Sequence, residues 1–162
     1  NVLLRNWHKL AVTTRRTIIS MFHGAGLGRV VFLMFVESGA DPSEKSSKGA
    51  QGLFQIMPGT AEAICGITGI DALRDPIINA RCAIEVLKKY GAKTNWRWAL
   101  VKYNGKYRNC PAKGYMKCLH DKYTAGNQDL YGAVHYQAHF LIYSEMGRRF
   151  IWDWEESRIA SK

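Results

Sequence analysis

The sequence predicts an all-α fold, and three observations indicate it. Apolar residues recur at helical spacing over much of the 162-residue chain, and no alternating strand segment of any length is present. Glycine and proline separate these stretches, as expected where one helix ends and the next begins. With 47% hydrophobic residues, the chain can bury one sizeable core, so we expect a single domain over residues 1–162.

The first helices are predicted from their apolar content. Leu3–Phe22 mixes apolar and basic residues, and the glycines of His23–Gly28 break the helical pattern after it. Arg29–Ser38 is apolar nearly all round, which is typical of a buried helix. The next stretch, Gly39–Leu53, is rich in Gly, Ser and Lys and predicts a loop, with a small β-like segment around residues 44–57.

Proline and glycine mark the later helices. Pro58 opens a short helix that includes Thr60–Cys65, and Pro76 opens a longer one that reaches Tyr90 and is ended by Gly91. Three further helices are predicted, Asn95–Tyr103, Ala112–Tyr123 and Gln128–Met146. A charged tail that contains tryptophan follows them.

The formal net charge of +10 favours an anionic partner, such as a nucleic acid, a lipid surface or an acidic cell-wall polymer. The basic residues occur in pairs, Arg15-Arg16, Lys88-Lys89 and Arg148-Arg149, and never in a run of five or six. We therefore expect no nucleic-acid-binding arm, and a solvated positive face explains the charge as well. The longest apolar run, Val30–Val36, is far shorter than the roughly 20 residues that span a bilayer.

The cysteines Cys65, Cys82, Cys110 and Cys118 form no Cys-x-x-Cys pair, which argues against zinc and thioredoxin-like sites. Their even number and wide spacing predict disulfides and an oxidising compartment, although buried thiols of a cytosolic protein are the alternative. Three pairings are possible. We favour Cys65 with Cys82, which lie on consecutive predicted helices, and Cys110 with Cys118.

Glu37 ends the apolar run VVFLMFV, an unusual place for a charge. Apolar surroundings and the negative end of a helix dipole both disfavour a carboxylate and would raise its pKa. A carboxylic acid that stays protonated near neutral pH can donate a proton to a leaving oxygen, as in glycoside cleavage. The alternative is a glutamate that points to water, and this fragment alone does not decide between them.

The stretch that begins at Glu37, ESGADPSEKSSKGAQGLFQIMPGTA, resembles the signature of the soluble lytic transglycosylases. It contains that family's Glu-Ser, a loop with Ser, and Gly-Ala-x-Gly-Leu-x-Gln-x-Met-Pro-x-Thr-Ala. A second element, Ala-x-x-x-Tyr-Asn-x-Gly, is matched by ALVKYNGKY with Gly105 one place early, and a weaker third by a tyrosine in KGYMKCL. The resemblance covers roughly residues 25 to 123. It implies a goose-type-lysozyme-like helical domain with a groove, to which helices at 124–162 add an extension of unknown role.

The resemblance also implies a substrate, the glycan strands of peptidoglycan, and roles for individual residues. Glu37 falls on the catalytic acid and base. Positions that line or border the saccharide groove fall on Ser46, Gln55, Met57, Tyr103, Asn104 and Tyr115. Gln55 offers donors and acceptors for hydroxyl and acetamido groups, and Met57 offers a pliable apolar contact. The sequence departs from the family at Lys106, where a second glycine follows more often, and at Pro111, where a glutamate is usual; both concern the far wall of the groove.

The mechanism depends on the count of carboxylates. Two-carboxylate lysozymes need a second acid, yet no Asp or Glu occurs between Gly49 and Thr60, and the nearest acids, Asp41 and Glu44, lie in a solvated loop. One carboxyl group would then act first as acid and then as base, and the resemblance implies a 1,6-anhydro-MurNAc product. The alternatives are a hydrolytic goose-type muramidase with a distant second acid, and a non-catalytic wall-binding module of a secretion or phage assembly.

No cofactor or metal is expected. His135 and His139 are four residues apart on a predicted helix, but no third ligand is close in sequence, so packing histidines are the better interpretation. Because the chain begins at Asn1, we expect a mature or trimmed product whose export signal is not shown. We expect a monomer in the periplasm or cell envelope, or a secreted or phage-borne one, with a possible secretion-system, pilus or phage partner and no nucleic acid.

Overall fold

A computed structural model describes residues 2–105, together with Lys113 and Lys117. The helices within residues 2–105 are α1 Val2–Lys9, α2 Val12–Gly24, α3 Leu33–Ser38, α4 Pro58–Cys65, α5 Ile70–Leu73, α6 Pro76–Lys89 and α7 Trp96–Asn104. A short 3₁₀ turn, Gly28–Val30, lies between α2 and α3. The all-α class is confirmed, and no helix in the described part of the chain is long and apolar enough to cross a membrane.

The prediction of one helix over Leu3–Phe22 is wrong, because the chain breaks at Leu10 and Ala11. The N–H of Leu10 closes a turn on the carbonyl of Trp7 at 3.1 Å, and Ala11 is extended, with φ −57° and ψ 144°. Separate helices allow Trp7 of α1 and Ile18 of α2 to be buried in the same core, where both are fully excluded from solvent.

The predicted helix Arg29–Ser38 is also not continuous. The segment starts as the 3₁₀ turn Gly28–Val30, and only Leu33–Ser38 is α-helical. The sequence predicted one continuous helix here because the segment is apolar throughout, and every residue from Val30 to Phe35 is indeed buried. Gly39 ends α3 in the left-handed conformation, with φ 65°, and its N–H bonds to the carbonyl of Phe35 at 3.1 Å.

The helices that proline was predicted to open are found where expected. Pro58 and Pro76 lie in the first turns of α4 and α6. The Asp75 carboxylate caps α6 by accepting hydrogen bonds of 2.9 Å from the N–H groups of Ile77 and Ile78. The helix α7 is shifted by one residue from the prediction, and α5 was not predicted. The predicted helices Ala112–Tyr123 and Gln128–Met146 lie outside the described residues.

Helix α6 is the centre of the core and packs against α2, α4, α5 and α7. The aromatic ring of Phe54 is fully buried and stacks on Phe22 with 5.1 Å between ring centroids. Between α3 and α4, the predicted β-like segment consists of two isolated antiparallel bridges, Lys45 with Gln51 and Gln51 with Ile56.

A disulfide joins Cys65 of α4 to Cys82 of α6, with 5.6 Å between their Cα atoms. This is the pairing that the sequence favoured. It ties two neighbouring helices together. The other predicted pair, Cys110 and Cys118, lies outside the described residues.

Candidate active site

Glu37 is the penultimate residue of α3 and is half-buried, at the end of the buried stretch Val30–Phe35. Its neighbour Ser38 fixes the end of the helix, because the Ser38 hydroxyl donates a 2.6 Å hydrogen bond to the carbonyl of Leu53 and also lies 3.1 Å from the carbonyl of Met34. The helix end that carries Glu37 is therefore attached to the loop that follows Gly49.

Backbone hydrogen bonds make this loop compact. Gln51 and Ile56 exchange two bonds of 3.0 Å, and the N–H of Gly52 reaches the carbonyl of Glu44 at 2.9 Å. The Ser46 hydroxyl oxygen accepts a 2.9 Å bond from the N–H of Ala50. The contact found for Ser46, predicted to line the groove, thus stabilises the loop itself.

Gln55 has an unusual backbone conformation for a residue other than glycine, with φ 50°. Its side-chain amide donates to the carbonyl of Glu44 at 3.0 Å and to that of Gly52 at 2.9 Å. These bonds hold the left-handed conformation and place the half-buried side chain at the edge of a cavity.

This cavity, of about 150 Å³, brings together four of the predicted groove positions, Gln55, Met57, Tyr103 and Asn104. Its lining is Gln55, Ile56, Met57, Thr60, Val86, Tyr90, Tyr103, Asn104 and Gly105. Met57 is 42% exposed and offers an apolar surface to a ligand. The side-chain oxygen of Asn104 is buried and has no hydrogen-bond partner among the described residues.

A second cavity, of about 430 Å³, shares Thr60 and Tyr90 with the first, and its wall also includes Lys102. The ammonium of Lys102 lies 5.4 Å from the centre of the Trp98 ring. Residues of α4 and α7 line both cavities, which together are called the depression.

Tyr103 connects this depression to Glu37. Its hydroxyl donates a 2.7 Å hydrogen bond to the carbonyl of Phe54. Burial raises the pKa of the Tyr103 phenol well above its ordinary value, and the negative charge of Glu37 and then Tyr90 raise it further. The charge of Glu37 thus acts on Tyr103, although Glu37 itself does not line the cavity.

No carboxylate of the described residues, Glu37 included, lines the cavity beside Gln55. The nearest acid in sequence, Asp41, accepts hydrogen bonds of 2.9 and 2.7 Å from the N–H and the hydroxyl of Ser43. Asp75 caps α6, while Asp71 and Glu85 lie 3.5 and 3.6 Å from Arg74 and Lys88. Within the part of the chain that the structure describes, these acids are used in turns, caps and surface pairs.

Sequence reasoning missed two residues of this region. Tyr90, read only as the end of a helix, lines both cavities. Asn79 was given no role, yet it is fully buried and bonds to the loop beside Glu37 through both ends of its amide. The available signal for Asn79 was a polar side chain on the otherwise apolar face of α6.

Some predicted positions are not described structurally. Tyr115 and the histidines His135 and His139 lie outside the described residues. Among the residues that are described, no three His, Cys, Asp or Glu side chains cluster as a metal site would require.

Comparison with known families gives one finding for this chain. The family model described as "Transglycosylase SLT domain" matches residues 27–131, which is more than half of the chain and includes Glu37 and all the cavity residues named above. No curated protein and no solved structure matches.

Proposed function

The chain belongs to the transglycosylase SLT domain family, and from that premise we propose that it cleaves the MurNAc–GlcNAc bond of peptidoglycan and leaves a 1,6-anhydro-MurNAc end. The family supports a lytic-transglycosylase type of enzyme that acts on peptidoglycan, and hence an extracytoplasmic location. The proposal adds the product, the catalytic residue and the order of proton transfers.

Glu37 carries both proton transfers in this proposal. The protonated carboxyl group first gives its proton to the glycosidic oxygen, and the bond between that oxygen and the MurNAc anomeric carbon breaks. The resulting carboxylate then takes the proton of the MurNAc 6-hydroxyl while that oxygen bonds to the anomeric carbon. Glu37 ends protonated, and no water is consumed.

The observation that carries the proposal is a half-buried glutamate whose charge acts on Tyr103, a residue that lines a cavity with no acid among its described lining residues. A water molecule attacking the opposite face of the sugar would need a base there. The 6-hydroxyl is tethered to the reacting ring, so its effective concentration is high and its attack loses little entropy.

The lining residues support a saccharide with acetamido groups. The unsatisfied oxygen of Asn104 suits an amide N–H or a sugar hydroxyl. The exposed thioether of Met57 suits the apolar face of a ring. We propose that Gln55 and Tyr103 border the sugar beside Glu37, and that Ser46 supports the wall by holding the Ala50 peptide.

Digestion of purified peptidoglycan in water enriched in heavy oxygen tests the proposal. Mass analysis of the fragments is expected to show new muramic acid ends that are one water lighter than a lysozyme product and carry no label. A labelled reducing end on most fragments would instead show a hydrolytic muramidase. Absence of new ends, with wall binding retained, would show a non-catalytic wall-binding module.

We also propose the cellular compartment in which the reaction takes place. We place the enzyme in the periplasm or cell envelope, because the substrate and the Cys65–Cys82 disulfide suit an oxidising space outside the cytoplasm. Fractionation of the source cells with a tagged chain tests this placement.

A further inference from the structure

Resting on the proposed role of Glu37, we propose that Asn79 is a positioning residue for the cleavage reaction. It bonds to the peptide between Leu53 and Phe54, in the loop that follows Gly49. Ser38, the neighbour of Glu37, bonds to the other side of the same peptide. Through that peptide Asn79 fixes both the end of α3 and the hydroxyl of Tyr103.

Both the oxygen and the nitrogen of the Asn79 side-chain amide form hydrogen bonds with backbone groups. The side chain is fully buried in α6. Its oxygen accepts a 2.8 Å bond from the N–H of Phe54. Its nitrogen donates at 2.9 Å to the carbonyl of Gln51 and at 2.8 Å to that of Leu73. With three bonds in fixed directions, the amide cannot rotate without leaving a buried polar group unsatisfied.

The peptide between Leu53 and Phe54 receives a bond on each side. Its N–H points to Asn79, and its C=O accepts the 2.6 Å bond from the hydroxyl of Ser38, the residue after Glu37. Because a trans peptide is planar, with N–H and C=O on opposite sides, fixing one end fixes the direction of the other. Asn79 thus sets the direction of the carbonyl to which the end of α3 is attached.

The next peptide along the chain, between Phe54 and Gln55, is bonded to Tyr103. The Phe54 carbonyl accepts the 2.7 Å bond from the Tyr103 hydroxyl. A rotation of the Leu53–Phe54 unit would therefore disturb both contacts that hold groups beside Glu37. Reacting groups need close alignment, so a displacement of this kind is expected to lower turnover more than it lowers binding.

Tight packing around Gly52 leaves the Asn79 side chain and the loop it bonds to little freedom to move. A Cβ atom on Gly52 would lie 2.4 Å from the Asn79 side-chain nitrogen and 2.3 Å from the Leu73 carbonyl oxygen. The loop backbone and α6 therefore approach as closely as glycine permits, and movement of the Asn79 amide transfers directly to the loop.

Asn79→Ala tests the proposal, with Asn79→Asp as the conservative variant that keeps an acceptor for the Phe54 N–H. Leu87→Ala is the matched control, since Leu87 is equally buried in α6 but bonds to none of these groups. Each variant is first checked for a native circular dichroism spectrum. Assays then run well below each variant's melting temperature, with soluble glycan strands as substrate.

We expect Asn79→Ala to lower kcat by about 10²-fold, the cost of a misplacement near the reacting atoms, with KM within about twofold of wild type. Asn79→Asp is expected to retain more of kcat than Asn79→Ala, and Leu87→Ala to lower the melting temperature while kcat stays near wild type. A parallel loss of kcat in Leu87→Ala at equal stability would overturn the positioning role. So would failure of both Asn79 variants to fold.

A double-mutant cycle with Tyr103→Phe supplies the second readout. Because Asn79 and Tyr103 bond to the two consecutive peptides that meet at Phe54, Asn79→Ala and Tyr103→Phe together should cost kcat little more than the larger single change. Leu87→Ala and Tyr103→Phe should instead combine independently, and independence of Asn79 and Tyr103 would also overturn the inference. If wild type itself makes no new ends on peptidoglycan, the proposed function fails; if wild type cleaves and Asn79→Ala cleaves equally well, only the role of Asn79 fails.

Discussion

The hydroxyl of Tyr103 donates its hydrogen bond to the backbone carbonyl of Phe54, 2.7 Å away and 49 residues earlier in the chain. A phenol has a single proton, so Tyr103 has none left to offer to the neighbouring Glu37 carboxylate. The Phe54 carbonyl is therefore the group that fixes the direction of the Tyr103 hydroxyl.

Tyr103→Phe should lower turnover. The change removes the hydroxyl beside Glu37 and leaves the Phe54 carbonyl without its donor, so we expect kcat on soluble glycan strands to fall by about 10- to 100-fold. Tyr90→Phe is the control, because it removes a hydroxyl from the same cavity without touching Phe54. Equal kcat in Tyr103→Phe and wild type would show that this hydroxyl has no part in the reaction.

Stability above pH 10 should depend on Tyr103. Burial, then the Glu37 charge, raise the folded-state pKa of its phenol above the ordinary 10.0, so the native state keeps a proton that the unfolded state loses. The stability from this group is fully present below about pH 10 and falls as pH rises toward the folded-state pKa. Urea unfolding from pH 8 to 11 should show a shallower decline for Tyr103→Phe than for wild type. Identical slopes would show that the phenol titrates normally.

Fold class and most helix starts could be predicted, because proline placement and apolar periodicity are local signals. The positions at which a predicted helix is interrupted could not be predicted. The interruption at Ala11 separates two helices that bury Trp7 and Ile18 in the same core, and the buried stretch Val30–Phe35 has the pattern of one helix although Val30 belongs to a 3₁₀ turn. Burial on all sides removes the periodicity by which a helix and a tight turn can be told apart.

The site could be predicted only as far as its residues lie in recognisable sequence blocks. Gln55, Met57, Tyr103 and Asn104 come from two such blocks, and all four line one cavity. The part taken by Asn79 could not be predicted, since a single polar residue on a helix does not reveal which backbone groups it will meet. Those partners, Gln51 and Phe54, come from a loop more than 20 residues earlier, whose position only the tertiary fold sets.

Gly52→Ala should be severely destabilising. Gly52 has φ +78°, and an added Cβ would lie 2.3 Å from the backbone carbonyl of Leu73. The left-handed conformation costs about 1–2 kcal/mol and overpacking about 1–3 kcal/mol, so we expect a loss of about 2–5 kcal/mol in the free energy of unfolding. Gly49→Ala is the matched control, because Gly49 has φ +97° but nothing within 4 Å of its would-be Cβ. Chemical denaturation that gives equal losses for both would exclude crowding as a cause.

Removal of the Cys65–Cys82 disulfide should cost stability without costing the chemistry. The bridge closes a loop with a sequence separation of 17, for which the chain-entropy model gives about 3 kcal/mol. The double change Cys65→Ala with Cys82→Ala should lower the free energy of unfolding by about that amount. At a temperature where it is folded, kcat should stay near wild type, because neither cysteine lines the cavity beside Tyr103. A large loss of kcat in the folded double variant would mean that α4 must be tied to α6 for catalysis.

Glu37→Gln should abolish cleavage while binding to peptidoglycan persists. Glutamine keeps the shape of the side chain but can neither donate the proton to the glycosidic oxygen nor accept one from the 6-hydroxyl. Loss of the general acid alone is worth about 10²–10⁴-fold in rate, and here the same group is also the base, so the loss should be at least that large. Glu44→Gln is the control: it neutralises an exposed acid seven residues later in the same stretch of chain and should leave turnover near wild type. Release of soluble fragments from labelled peptidoglycan measures cleavage, and co-sedimentation with intact wall measures binding. Glu37→Gln turnover comparable to wild type would remove Glu37 from the mechanism, whereas loss of co-sedimentation would show that the carboxyl group mainly holds the substrate.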